Sequence, residues 1–76
     1  MKKITVNTEY ITLCSFLKWC GAVETGGEAN MAVKGGEVTV NGEVCLMRGK
    51  KLRPGDCAEY SGEKYMVVSV GDITNA

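Results

Sequence analysis

At Gly35-Gly36 the spacing of apolar residues changes from helical to alternating, and that switch restricts the chain to a mixed fold. Before it, Leu13, Phe16, Leu17 and Cys20 recur at i, i+3, i+4 and i+7, and Ala29, Ala32 and Val33 repeat a helical spacing. After it, Val38 and Val40 alternate up to Asn41-Gly42, and Val44 and Leu46 continue the alternation beyond. Asn-Gly suits a two-residue type I′ turn, whose central residues both take positive φ. Residues 37–47 are therefore predicted to form a hairpin.

The helices carry their own punctuation. Thr12 is placed to cap the first, and Gly21 stops it. Thr25-Gly26-Gly27-Glu28 has the form of a capping box: the Thr25 hydroxyl accepts from the backbone of Glu28, and the Glu28 carboxylate reaches back to Thr25. Residues 2–7 are β-branched enough for a short strand at an edge, and Pro54-Gly55-Asp56 marks a turn. Residues 57–60 and 65–70 flank Ser61-Gly62 as a second hairpin, although Val67-Val68 blurs its register. The expected fold is α+β: two short helices packed on one face of a small, mainly antiparallel sheet. One domain is expected over residues 1–70, with a frayed tail at 71–76.

A chain of 76 residues has no room for a large catalytic cleft. Histidine is absent, no phosphate-binding loop ends in Lys-Ser/Thr, and Asp56 is placed to cap a turn. An enzyme is not expected. Cys14, Cys20, Cys45 and Cys57 are read as reduced thiols of a cytoplasmic protein, with disulfides as the alternative. Their spacing lacks the close ligand pairs of zinc sites, so no metal or cofactor is expected. The N-terminal segment loses its apolar run by Asn7, unlike a signal peptide. No stretch approaches the roughly 20 apolar residues that a membrane span needs.

Nine basic and nine acidic residues cancel, but Arg48, Lys50, Lys51 and Arg53 crowd into six positions. Clustered cations of this kind release counterions when they meet phosphates. A solvated basic loop is the plainer reading of the same residues.

The stretch from Leu13 to Asp56 resembles the RNA-binding domain named after ribosomal small-subunit protein S-four, the αL motif. The likeness rests on Leu13, Phe16-Leu17, Gly21, Thr25, Glu28-Ala29, the run Gly36-Glu37-Val38-Thr39-Val40-Asn41-Gly42, and Gly55-Asp56. "FLKW", "TGGEA" and "RGKKLRPGD" look like the small stand-alone bacterial members. Many members carry arginine after the capping Ser/Thr, where Gly26 stands here, and Asn30 and Met31 occupy positions that are often basic. The resemblance thus implies an RNA contact shifted toward Arg48–Arg53.

What the resemblance implies is a protein that binds structured RNA, ribosomal RNA above all, through phosphates and shape; a monomer is expected. Its expected contacts are Lys18, Thr25, Gly26, Gly27, Asn30, Lys34, Arg48, Lys50, Lys51 and Arg53. Several of these keep two readings. Gly26-Gly27 either serve a capped helix start or receive a phosphate, and Met31 covers a ribose, a base or a protein partner or packs beneath a loop. Lys18 is solvated or faces phosphate. Trp19 packs at the edge of the helix or stacks on an unpaired base. Tyr10, Tyr60 and Tyr65 are read as sheet and boundary residues. A protein-interaction adaptor that kept the fold is the alternative function. A sulfur carrier would need a terminal Gly-Gly, whereas the chain ends Thr74-Asn75-Ala76.

Overall fold

A computed structural model describes residues 1–69. The expected tail at 71–76, and Val70 at the end of the expected last strand, lie outside the described residues.

Strand β1 (Lys2–Val6) and a two-residue strand β2 (Ile11–Thr12) lead into helix α1 (Leu13–Trp19) and helix α2 (Gly26–Lys34). There follow β3 (Val38–Val40), β4 (Glu43–Val44), β5 (Lys51–Leu52), β6 (Cys57–Tyr60) and β7 (Glu63–Ser69). The main sheet has the order β1-β7-β6-β3-β4, with β1 parallel to β7 and every other pairing antiparallel. β1 is the expected edge strand. A second, two-stranded sheet joins β2 to β5, pairing Ile11 with Leu52 and Thr12 with Lys51.

Both helices lay their apolar stripes in the core. Leu13, Phe16 and Leu17 of α1 and Ala29, Ala32 and Val33 of α2 are buried with Val38, Val40, Ala58, Tyr65 and Val67 of the sheet. Phe16 meets Tyr65 edge to face, with ring centroids 6.5 Å apart, the arrangement that aromatic quadrupoles favour. Val67 and Val68 are both buried, but only Val67 belongs to this core, as the pleat requires of neighbours in one strand.

The helix ends follow the sequence signals, with two corrections. Gly21 and Gly36 take φ of 81° and 73°. Each closes its helix with a paired set of bonds: Ala22 donates to Leu17 and Gly21 to Lys18 in α1, Glu37 to Ala32 and Gly36 to Val33 in α2. Thr12 precedes α1 as expected, but its hydroxyl donates to Ser15 Oγ and caps nothing. At α2, Thr25 Oγ1 accepts from the Glu28 amide as expected, whereas the Glu28 carboxylate takes the amide of Glu24, one residue before the one predicted.

The hairpin turns form at Asn41-Gly42 and Ser61-Gly62, all four residues with positive φ. The first hairpin is shorter than its alternation suggested. β4 ends at Val44 on the sheet edge, and Val44 and Leu46 are exposed. The basic segment is also not wholly a loop, because Lys51-Leu52 form β5 and Leu52 is buried.

Candidate nucleic-acid interface

Arg48, Lys50, Lys51 and Arg53 are all exposed, and the backbone beneath them is held from two sides. On one side the amides of Leu13 and Cys14 donate to the carbonyls of Lys50 (2.8 Å) and Arg48 (3.0 Å). Those amides open α1 and have no partners within the helix. The basic segment therefore caps α1, which explains why Thr12 need not.

On the other side the segment ends in a knot of polar bonds. Asp56 accepts from the Arg53 amide at 2.8 Å through Oδ2 and from Asn41 Nδ2 at 3.2 Å through Oδ1. Asn41 Oδ1 in turn accepts from the Cys57 amide at 3.0 Å. The Asn-Gly turn and the Gly-Asp turn, 15 residues apart, are thus one structure. Asp56 caps its turn as expected, and the link to Asn41 was not foreseen.

Cys14 joins this segment to α2. Its thiol lies 3.7 Å from both the Gly26 carbonyl and Asn30 Oδ1, while its amide is bonded to Arg48. Gly26, Asn30, Arg48 and Lys50 are thereby gathered around the first turn of α1. Lys18 lies one turn beyond Cys14 on the same side of α1, and Lys34 one turn beyond Asn30 on the same side of α2. Both are exposed. Thr25 is committed to its cap, and Gly27 is exposed beside it.

Lys51 and Arg53 point to Tyr10, expected from the sequence only as a sheet or boundary residue. Lys51 Nζ lies 4.9 Å, and Arg53 Cζ 5.8 Å, from the centroid of the Tyr10 ring, within cation–π range. Arg53 also approaches Glu9 at 3.8 Å, an exposed and therefore weak ion pair. No sequence spacing connects Tyr10 to Lys51, since the pairing of β2 with β5 is what brings them together. Trp19, at the end of α1, lines one groove with Tyr10, and its indole Nε1 donates to the Thr5 carbonyl at 3.0 Å.

All four cysteines are free and half-buried. Among the described residues no three Cys, Asp or Glu side chains are grouped to hold a metal ion. No helix among them is long and apolar enough to cross a membrane.

The fold and the sequence are shared with known proteins. A solution structure of YbcJ from Escherichia coli, described as revealing an αL motif involved in RNA binding, superimposes with a TM-score of 0.69 at 29% identity, covering 90% of this chain and 87% of that one. The 30S ribosomal protein S4e from Thermoplasma acidophilum shares the fold, with a TM-score of 0.66 at 23% identity over 79% of this chain and 32% of its own. In sequence the chain is 42% identical over 59 residues to "Probable ribosome maturation protein RlbA" of Bacillus subtilis (strain 168), covering 78% of this chain and 83% of the relative. It is 32% identical over 60 residues to "Putative RNA-binding protein YbcJ" of Escherichia coli (strain K12), covering 79% and 86%. A sequence model of the S4 domain matches residues 4–68, nearly all of the described chain, and the protein belongs to the S4 domain family.

Proposed function

We propose that this chain binds structured RNA, ribosomal RNA in particular, as a cytoplasmic, non-catalytic monomer. The observation that carries the reading is the pair of hydrogen bonds that the Leu13 and Cys14 amides donate to the Lys50 and Arg48 carbonyls, with the Cys14 thiol against Gly26 and Asn30. It makes one surface of two segments that are far apart in sequence, the basic segment and the start of α2. Phosphates would meet Arg48 and Lys50, with Lys18 and Lys34 extending the charge along the helices. Arginine forks onto phosphate oxygens and lysine acts as a point charge. Gly27, exposed and bare of a side chain, allows close approach of the RNA backbone, and the space beside Gly26 is open. A shallow RNA minor groove offers phosphates and 2′-hydroxyls more readily than base edges, which suits recognition by charge and shape. The names of the RlbA and YbcJ relatives support RNA and the ribosome as the setting.

A second reading, a protein-interaction adaptor, draws on the exposed Val44, Leu46 and Met47, which line one groove with Lys50. An amide chemical-shift titration with a structured RNA hairpin, at low and at physiological salt, separates the two. Salt-sensitive shifts at Gly26–Lys34 and Arg48–Arg53 are expected. A folded protein that is silent at low salt would favour the adaptor.

A further inference from the structure

Trp19 is the chain's single tryptophan and is 64% exposed, an unusual setting for so large a ring. Its one polar atom is already used, because Nε1 donates to the Thr5 carbonyl. That bond fixes the indole in place and leaves only apolar ring surface to face outward. Trp19 forms one wall of an open groove of about 350 Å³ that also includes Tyr10, which is 39% exposed. Buried Val6 contributes to its apolar lining, and Asn7, Thr12 and Ser15 supply an amide and two hydroxyls along it. The two cations drawn to the Tyr10 ring, Lys51 and Arg53, put positive charge beside the groove.

We propose that this groove takes an unpaired nucleobase of the bound RNA, stacked on Trp19, with the adjoining phosphate met by Lys51 and Arg53. The proposal rests on the RNA-binding reading and extends it from charge and shape to a single flipped or bulged nucleotide. Each ingredient has a chemical counterpart in that ligand. A base presents a flat π-face to an indole, its edge bonds to amides and hydroxyls, and its phosphate demands cations. The groove is continuous with the basic segment through β2 and β5, because Thr12, on the groove, pairs with Lys51. A base seated there therefore belongs to an RNA lying across Arg48–Arg53.

The test compares a hairpin RNA carrying one bulged nucleotide with the same hairpin fully paired, reading both affinity and Trp19 fluorescence. The bulged RNA is expected to bind about 5- to 150-fold more tightly, the range that one stacked base supplies, and to quench Trp19. Trp19→Ala and Tyr10→Ala should bind both RNAs alike, with the salt dependence of the paired hairpin kept. Trp19→Phe, which keeps a ring but loses the indole donor, should retain most of the preference. Equal affinity for the two RNAs with Trp19 emission unchanged would overturn the groove while leaving RNA binding intact. So would a folded Trp19→Phe that loses the preference as fully as Trp19→Ala, since Trp19 would then only brace β1. Binding of neither RNA at low salt would overturn the RNA-binding reading itself, and the groove with it.

Discussion

The amide of Leu13 donates to the carbonyl of Lys50 at 2.8 Å, so the first residue of α1 is held by the backbone of the basic segment. Anchorage runs through the main chain and charge through the side chains, and the two are separable. Lys50 and Lys51 side chains are exposed, so replacing them leaves the anchor bond in place.

Lys50→Glu combined with Lys51→Glu should therefore weaken binding of a structured RNA about tenfold or more while shifting the unfolding midpoint little. The slope of log affinity against log salt should fall by about two, one for each phosphate contact removed. Filter binding across a salt series checks the affinity and the slope, and urea unfolding checks the stability. Unchanged affinity in the folded double variant would move the RNA surface away from this segment.

Asp56 holds the far end of the same segment, accepting from the Arg53 amide and from Asn41 Nδ2. Asp56→Ala leaves both donors without this partner and should cost about 1–3 kcal/mol in urea unfolding. Asp56→Asn keeps one acceptor and should cost less. Amide shifts of Arg53 and Asn41 should move in both variants, and a loss of stability without those shifts would place the effect elsewhere.

The features legible in the sequence were those written locally. Gly21 and Gly36 end helices because each supplies a positive φ where the chain leaves the helix, and Asn41-Gly42 makes a hairpin turn on its own chemistry. The pairing of Ile11-Thr12 with Lys51-Leu52 was not legible, because two residues carry no periodicity and their partners lie 41 and 39 positions away. Tyr10 was hidden for the same reason, since only that pairing brings Lys51 to it. The alternation of Val44 and Leu46 misled because β4 ends after two residues at the sheet edge, where both side chains are largely exposed. Gly26, Asn30, Arg48 and Lys50 were each visible as candidates, but their meeting around Cys14 required the fold.

Tyr65 gives stability an alkaline limit. Burial, and to a lesser extent the nearby Cys20 thiol and Glu63, raise its phenol above the ordinary value of 10.0. Burial likewise raises the Cys20 thiol above 9.0. For both groups the folded state holds its proton more tightly than the unfolded chain, so their stabilisation is complete at neutral pH and is lost as pH rises through the folded values. The urea midpoint should stay level from about pH 7 to 8 and then fall above about pH 9. Tyr65→Phe keeps the ring against Phe16 and should flatten the upper part of that fall. An identical pH profile in the variant would assign the loss to other groups.

Gly26 offers a gain-of-function test of the proposed interface. It stands at the first position of α2, where the resemblance to the S-four domain implies an arginine, and a Cβ built there meets nothing within 4 Å. Its φ lies outside the left-handed range, so a side chain brings no backbone strain. Its carbonyl, which the Cys14 thiol approaches, is untouched by the substitution. Gly26→Arg should therefore fold normally, with replacement of glycine in a helix favouring stability slightly. If RNA lies across the start of α2 and the basic segment, the new guanidinium adds a phosphate contact. Affinity should then rise severalfold at low salt, and the salt slope should steepen by about one. If affinity and slope both stay at wild-type values in the folded variant, the start of α2 does not face RNA, and the charge at Arg48–Arg53 carries the contact without it.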